Sequence, residues 1–331
     1  VAVLRVPADF RTVGEAVARA APGDTIRVAG GVYAEAVRIE AGKDRLAIVG
    51  AGPGSTILQG PGSGVGFLIE GSGGVTIAGF TVTGFAEGIM ISTSDNVIRD
   101  VTVSNCTSVG ISAGNRALRN LFLGVAAGGN GREGLVASGQ NAYVLNGEFF
   151  DNGGEGVNLI GFRHVAMGNR SRGNSAGLAG VNTNAVVLTG NSLTGNGAGF
   201  LGEGDLLYAN AMVRNQRAGG ELIFGAFSVV LENEVRCNYG PGLFLAAVGA
   251  FRFLRNAVEE NGQHGMEMVA EATGNVVDEN EVKENGAAGI RLEPLAVENA
   301  IRRNELKGNN PDIQALPPAD TDNVFDENRV K

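Results

Sequence analysis

The 331-residue chain has no tryptophan, four tyrosines, two histidines and two cysteines. Two cysteines, Cys106 and Cys237, cannot frame a disulfide-stapled fold. In the register developed below they share a corner six coils apart, roughly 29 Å at the spacing of neighbouring strands. A disulfide needs Cα atoms within about 7 Å, so both are expected as free thiols. His164 and His264 fall in different coils without ligand spacing, and Met, His and Cys are nowhere dense, so no metal site is expected from them. No run of 18 or more apolar residues exists, which excludes a membrane-spanning helix. The formal charge is −9 and no Lys/Arg cluster interrupts it, which excludes nucleic acid as a partner. No signal peptide is legible, since the chain opens at Val1 inside what reads as a strand.

What is present is glycine, 53 residues of it, with 44% hydrophobic and only 18% charged residues, enough apolar material for a long core. Glycines followed by an alternating apolar pair recur at Gly66, Gly88, Gly110, Gly134, Gly156, Gly177, Gly199, Gly220, Gly242, Gly265 and Gly289, and Asp312 opens a last partial coil. Late in each coil comes an Asn-x4-Asn pair: Asn169/Asn174, Asn191/Asn196, Asn210/Asn215, Asn233/Asn238, Asn256/Asn261, Asn280/Asn285 and Asn304/Asn309. Between these marks lie short period-two segments, as in Gly88-Ile-Met-Ile, Asn96-Val-Ile-Arg and Val101-Thr-Val-Ser, each suited to a strand with one buried face. About 22 residues cannot bury their own apolar face, so coils must stack. The pattern predicts an all-β right-handed parallel β-helix with three strands per coil and about 14 coils. Residues 1–65 are expected to form the N-terminal cap and first coils, and residues 66–331 the regular repeats of one continuous domain. The asparagines are expected to be structural, tolerating the left-handed backbone of a sharp turn and bonding the same amide one coil on. The glycines mark tight corners in this reading. Val13, Ala16, Val17 and Ala20 recur at helical spacing, so residues 12–21 are expected to form an amphipathic helix that caps the N-terminal end.

The segment from Phe10 to Tyr33, FRTVGEAVARAAPGDTIRVAGGVY, resembles the opening of pectin-lyase-like β-helix proteins, and the later Gly-Ile-x-Ile and Asn repeats resemble their NosD-like and β-helix-repeat members. The resemblance implies the fold across the whole chain and, by the habit of that superfamily, an extracellular, cell-surface or periplasmic location. It implies activity weakly, because the scaffold carries lyases, epimerases, hydrolases, binders and spikes.

Superfamily enzymes place catalytic groups on the outer face of the first strand of each coil. Here that row should read Leu68, Met90, Ser112, Val136, Asn158, Ala179, Leu201, Ile223, Phe244, Glu267, Arg291 and Gln314. Lyase chemistry needs several carboxylates for calcium and a base, and neither precedes Glu267. Hydrolysis needs paired carboxylates, yet Asp151 and Asp205 are the only aspartates between residues 101 and 277. The Asp-Pro-His-Asp motif of alginate epimerases is absent. Charge collects only in the C-terminal third, from Glu259 to Glu298, offset by Arg255, Lys283, Arg291, Arg302 and Arg303. Its first reading is a solvated face. Calcium is an alternative occupant, and Glu267, Arg291, Glu293 and His264 are the weak catalytic candidates. Leu68, Met90, Val136, Leu201, Ile223 and Phe244 would form an exposed apolar strip, which favours self-association, lateral or end to end. Residues 320–331 read as a coil cut short with no capping helix, where another copy could stack. The leading expectation is therefore a non-catalytic surface rod that self-associates or binds a polysaccharide. The alternative is a polysaccharide lyase, epimerase or hydrolase, and a periplasmic accessory protein of NosD type is a minor one. With no Trp and few Tyr, stacking platforms for sugars are scarce.

Overall fold

The computed structural model describes residues 1–203 and 205–330, and divides into two compact units, Val1–Asn169 and Arg170–Lys331. In each unit the strands sort into three parallel layers, every strand pairing with the equivalent strand one coil on, and the chain makes about fourteen turns in all. We name the layers by their order after the coil-opening glycine. In one coil of the N-terminal unit the first is Glu87–Ile91, the second Val97–Arg99 and the third Thr102–Ser104. In one coil of the C-terminal unit they are Leu243–Ala246, Arg252–Leu254 and Ala257–Glu259. Alternation puts Ile89, Ile91, Ile98 and Val103 inside one unit, and Leu243, Leu245, Phe253 and Val258 inside the other, all fully buried or nearly so. The core is therefore a stack of like residues at like positions.

The N-terminal helix runs Val13–Arg19, shorter than the expected 12–21. Thr12 Oγ1 accepts from the Glu15 N–H at 3.1 Å, and the Glu35 carboxylate accepts from the N–H groups of Val13 and Gly14, both at 2.9 Å. These bonds satisfy amides that a helix start leaves open. Its buried face, Val13, Ala16 and Val17, packs against the first strands, Val3–Val6, Thr25–Val28 and Val37–Ile39.

Asparagine ladders occupy the corners. In the C-terminal unit one ladder climbs from Asn191 through Asn210, Asn233, Asn256, Asn280 and Asn304 to Asn328, and a second from Asn174 through Asn196, Asn215, Asn238, Asn261 and Asn285 to Asn309. At Asn256 the side-chain oxygen accepts from both the N–H and the Nδ2 of Asn233, each at 3.0 Å, while its Nδ2 donates to Asn280 Oδ1 at 2.9 Å and to the Val230 carbonyl at 2.8 Å. Asn169 ends the N-terminal unit, taking the Gly147 N–H at 2.8 Å. The ladder residues are not the left-handed ones, contrary to the expectation from sequence. The residue just before each takes that backbone, as at Ala209, Arg214, Glu232, Cys237, Arg255, Glu260, Glu279 and Arg303, with φ between 50° and 55°. The left-handed residue points to solvent, which leaves its neighbour, the asparagine, to face inward and bond along the stack.

A third ladder lies at the corner before the second layer. Asn96 and Asn120 build it in the N-terminal unit, and Asn275, Asn299 and Asn323 in the C-terminal one. His164 takes a place in it, its Nδ1 accepting the Ala142 N–H at 3.2 Å, and Asp205 does the same for the Val186 N–H at 2.7 Å. His164 is fully buried, and burial pushes its pKa below the usual histidine value.

The coil-opening glycines are required by room, not by a tight turn. Gly242 has no left-handed backbone, but a Cβ there would lie 2.6 Å from the Gly265 carbonyl oxygen and 2.6 Å from Val258 Cγ1. One register position differs from the sequence reading. The coil expected to open at Gly220 opens at Gly219, which packs under Gly242 as Gly199 packs under Gly219.

At the corner leading into the third layer of the C-terminal unit, Glu232, Arg255, Glu279 and Arg303 follow one another up the stack in alternating sign. Arg255 reaches Glu232 at 3.0 Å and Glu279 at 3.9 Å, and Arg303 reaches Glu279 at 3.6 Å. Arg302 and Arg303 both hold the buried Asp278, Arg302 at 3.2 Å, and Lys283 lies between Glu281 and Glu305. The acidic stretch is thus interleaved with its own cations.

Candidate functional site

The shift to Gly219 changes the outward row of the first layer. In the C-terminal unit it reads Ala179, Leu201, Glu221, Phe244, Glu267, Arg291 and Gln314, each in register with the next. Ile223 lies two residues further along its strand, beside Ala246 and Val269. Ala179 is buried. The expected apolar strip is therefore broken. Glu221 separates Leu201 from Phe244, and in the N-terminal unit Ser112 separates Met90 from Val136, with Leu68 and Val136 half-buried. Only Met90, at 37%, reaches substantial exposure among these six residues.

A longer row of apolar side chains, most of them half-buried, lies on the outward side of the second layer. In the C-terminal unit its outward residues include Leu206, Tyr208, Val229, Leu231, Leu254 and Val276; in the N-terminal unit Leu121, Leu123, Tyr143, Leu145 and Met167. At the corner feeding that face, Phe224 and Phe227 are 77% and 84% exposed, both with left-handed backbone.

The row of the first layer makes a groove. A cavity of about 420 Å³ is lined by Glu221, Phe244 and Glu267 at its floor and by Gln216, Arg217, Tyr239 and Gln263 at its sides. That volume is in the range of small-ligand sites. Glu221 is held by Arg217 at 3.3 Å. Phe244 presents an apolar face between two carboxylates, and Tyr239 is largely exposed at the rim.

Beyond Glu267 the structure brings together all four residues singled out in the sequence. Arg291 Nη1 lies 3.6 Å from Glu267 Oε1 and 3.0 Å from His264 Nε2, and its other Nη grips Glu293. His264 meets a donor at each ring nitrogen, the Ala288 N–H at Nδ1 (3.1 Å) and Arg291 at Nε2, and Nε2 lies 3.9 Å from Glu267 Oε1. Burial lowers the His264 pKa, Glu267 opposes that and the adjacent guanidinium reinforces it. Arg291 thus faces two carboxylates and is balanced by them, a clamp that fixes Glu267 at the edge of the groove. Among the described residues no group of three or more His, Cys, Asp or Glu side chains could hold a metal ion.

Glu221, Gln216, Gln263 and Tyr239 were not singled out in the sequence. A signal for Glu221 was there. Each coil-opening glycine of this region follows its ladder asparagine by four residues, as in Asn238/Gly242 and Asn261/Gly265, and counting from Asn215 gives Gly219. The groove side chains carry no periodic mark, being corner residues outside the strands.

The model of the right-handed beta helix region matches residues 63–210 and 181–330. No curated protein matches the chain in sequence. Among solved structures, the A-module of mannuronan C-5 epimerase AlgE4 from Azotobacter vinelandii is 15% identical, with a TM-score of 0.66 over 96% of this chain and 91% of that one. The Dettilon tailspike protein is 13% identical, TM-score 0.63, over 97% and 70%. The catalytic unit of the GH87 alpha-1,3-glucanase from Streptomyces thermodiastaticus is 14% identical, TM-score 0.55, over 96% and 64%. Identities this low speak to the fold alone. The repeats, the three parallel layers and the family match agree: this chain belongs to the right-handed β-helix family and has the pectin-lyase-like fold.

Proposed function

We propose that this is a polysaccharide-binding β-helix protein of the cell exterior or periplasm, and that the groove over Glu221, Phe244 and Glu267 receives the glycan. The groove itself carries the reading. An aromatic face flanked by planar polar side chains suits a sugar, whose C–H face packs on a ring while its hydroxyls bond carboxylates and amides. Two carboxylates against Arg217 leave the groove slightly acidic, so a neutral glycan fits better than a uronate. Carbohydrate-active relatives of the fold, such as the mannuronan epimerase and the alpha-1,3-glucanase, are consistent with this ligand class. Binding without turnover is the simpler reading, because Arg291 holds Glu267 and Glu293 as an ion-paired set.

The test is a panel of neutral and acidic polysaccharides measured by calorimetry, with and without calcium. Phe244→Ala and Tyr239→Ala should each weaken the bound glycan by about tenfold or more, the loss of one stacking contact. Unchanged binding in both variants, or no binding to any member of the panel, would defeat the proposal.

A second reading rests on one observation. Glu221 and Glu267 flank Phe244 on the same outward row, their backbones two strand spacings or about 9.6 Å apart along the stack. Inverting glycoside hydrolysis uses two carboxyl groups about 6.5–9.5 Å apart. Release of reducing ends from the bound glycan, abolished by Glu221→Gln and by Glu267→Gln, would select hydrolysis over binding.

A further inference from the structure

We infer that the glycine-flanked asparagines of the ladder after the third layer are conformationally gated deamidation sites. They are inert while the coils are stacked and become aspartate or isoaspartate once the stack opens, so that unfolding of this chain cannot be reversed. The inference is independent of the glycan groove and uses none of its residues.

Asn-Gly is the pair in which an asparagine is chemically weakest, because glycine has no side chain to keep its own nitrogen away from the asparagine Cγ. The sequence holds six: Asn130-Gly131, Asn146-Gly147, Asn152-Gly153, Asn196-Gly197, Asn261-Gly262 and Asn285-Gly286. All of these asparagines except Asn146 belong to the ladder after the third layer, and those five are at most 5% exposed. Room dictates the glycines beside them. A Cβ on Gly131, Gly153, Gly197, Gly262 or Gly286 would lie 2.3 to 2.5 Å from a backbone oxygen of the coil before. Close stacking thus brings together two residues whose adjacency is fragile in water.

In the reaction the glycine nitrogen gives up its proton and attacks Cγ, the side-chain nitrogen leaves as ammonia, and a succinimide ring forms. Water then opens either ring carbonyl, giving aspartate or isoaspartate. The stack withholds both reacting groups. Each glycine N–H is itself a bond between coils: Gly131 donates to the Cys106 carbonyl at 2.8 Å, Gly153 to Asn130 at 2.9 Å, Gly197 to Asn174 at 2.8 Å, Gly262 to Asn238 at 2.7 Å and Gly286 to Asn261 at 2.8 Å. The side-chain amides are held from both directions. At Asn261 the oxygen accepts from the N–H and the Nδ2 of Asn238 at 3.2 and 2.8 Å, while its Nδ2 donates to the Val235 carbonyl and to Asn285 Oδ1, both at 3.0 Å. Bringing Cγ onto the Gly262 nitrogen breaks all of these bonds in a buried corner.

The products do not fit the stack. Aspartate at position 261 would set an oxygen where Nδ2 now donates, against the Val235 carbonyl and Asn285 Oδ1, oxygen on oxygen away from water. Isoaspartate lengthens the backbone by one carbon, and the coil beyond it loses register. Asn146 supplies the internal comparison. It is exposed, with left-handed backbone at φ 53°, and its side chain lies outside the ladders, although the Gly147 N–H is bonded to Asn169 Oδ1 at 2.8 Å.

The experiment is peptide mapping by mass spectrometry on the full chain, kept in mildly alkaline buffer either folded or in urea, with aspartate and isoaspartate counted at each Asn-Gly. In urea all six should convert together. In the folded chain the five ladder sites should convert at least about a hundredfold more slowly than in urea, since only the rare open state reacts, and Asn146 should run ahead of them. Ladder sites that convert as fast folded as in urea overturn the proposal, as does an Asn146 as slow in the folded chain as the ladder five. On dilution from alkaline urea, the refolded fraction should fall in step with ladder conversion. A chain held equally long in mildly acidic urea, where the glycine nitrogen keeps its proton, should refold. Converted chains that refold as fully as the acid-held control overturn the irreversibility, and so does an acid-held control that fails to refold, because the cause then lies elsewhere.

Discussion

Replacing Asn256 with alanine tests whether the ladders carry the stability of the stack. The wild-type side chain makes four hydrogen bonds inside the protein, two as acceptor from Asn233 and one each as donor to Asn280 and Val230. Two partners keep other bonds after truncation: Asn233 Nδ2 still reaches the Leu207 carbonyl at 2.9 Å, and Asn280 Oδ1 still takes the Asn256 N–H at 2.9 Å. The Asn233 backbone N–H has no such substitute and is left orphaned in a buried corner. An orphaned buried donor costs about 2 kcal/mol, and the three other lost bonds about 0.7 kcal/mol each, so the total is about 4 kcal/mol. Asn328→Ala at the open end of the same ladder removes a partly buried pair of accepted bonds and one donated to Ile301, and should cost about 1 kcal/mol. Urea unfolding of the two variants gives the difference. Amide hydrogen exchange gives the location, since the Asn233 N–H should lose protection while amides two coils away keep theirs. Equal destabilisation at Asn256 and Asn328, or an Asn233 amide that stays protected, would refute the reasoning and make the ladder a passenger of the apolar core.

Other expectations follow from the same geometry. Ala185→Gly with Ala209→Gly, at exposed left-handed positions with φ 58° and 52°, should raise stability by about 1 kcal/mol in urea unfolding. Ala198→Gly, buried in a strand, should lower it. Gly242→Ala should destabilise by about 3 kcal/mol, because its Cβ meets a backbone oxygen at 2.6 Å that cannot swing aside. His164 has a folded pKa below its unfolded value of about 6.5, so the unfolded chain binds the proton more readily. Its contribution is therefore intact above that pH and is lost as pH falls toward the folded pKa. His164→Asn keeps an acceptor for the Ala142 N–H, removes the titration and should flatten the acid limb of a melting-temperature profile.

Much of the fold was legible because stacking forces like residues onto like positions. Gly242, Gly265 and Gly289 with Asn238, Asn261 and Asn285 repeat in the sequence since each must fit against its own copy one coil away. The third ladder was illegible because its acceptor changes identity, from asparagine to His164 and Asp205, while the bond it accepts does not. The apolar outward side of the second layer was hidden for another reason. Leu206-Leu207-Tyr208 and Val229-Val230-Leu231 are apolar on both sides, and such runs read as buried on both. The site was legible only in part. Glu267, Arg291, Glu293 and His264 stood out as charge near a row, but Glu221 was concealed by the Gly219-Gly220 doublet, where a register can be counted from either glycine.

The alternating ridge of Glu232, Arg255, Glu279 and Arg303 has a parity. Each such exposed pair is worth at most about 1 kcal/mol, and an equal sum opposes like charges placed side by side. Repeat proteins lengthen by copying coils, and here an odd copy inserted within the ridge would bring glutamate onto glutamate or arginine onto arginine. Duplication by two coils preserves the order. The ridge thus makes a two-coil block, of some 47 residues from Glu232 to Glu279, the natural unit in which this part of the chain can be extended, shortened or grafted.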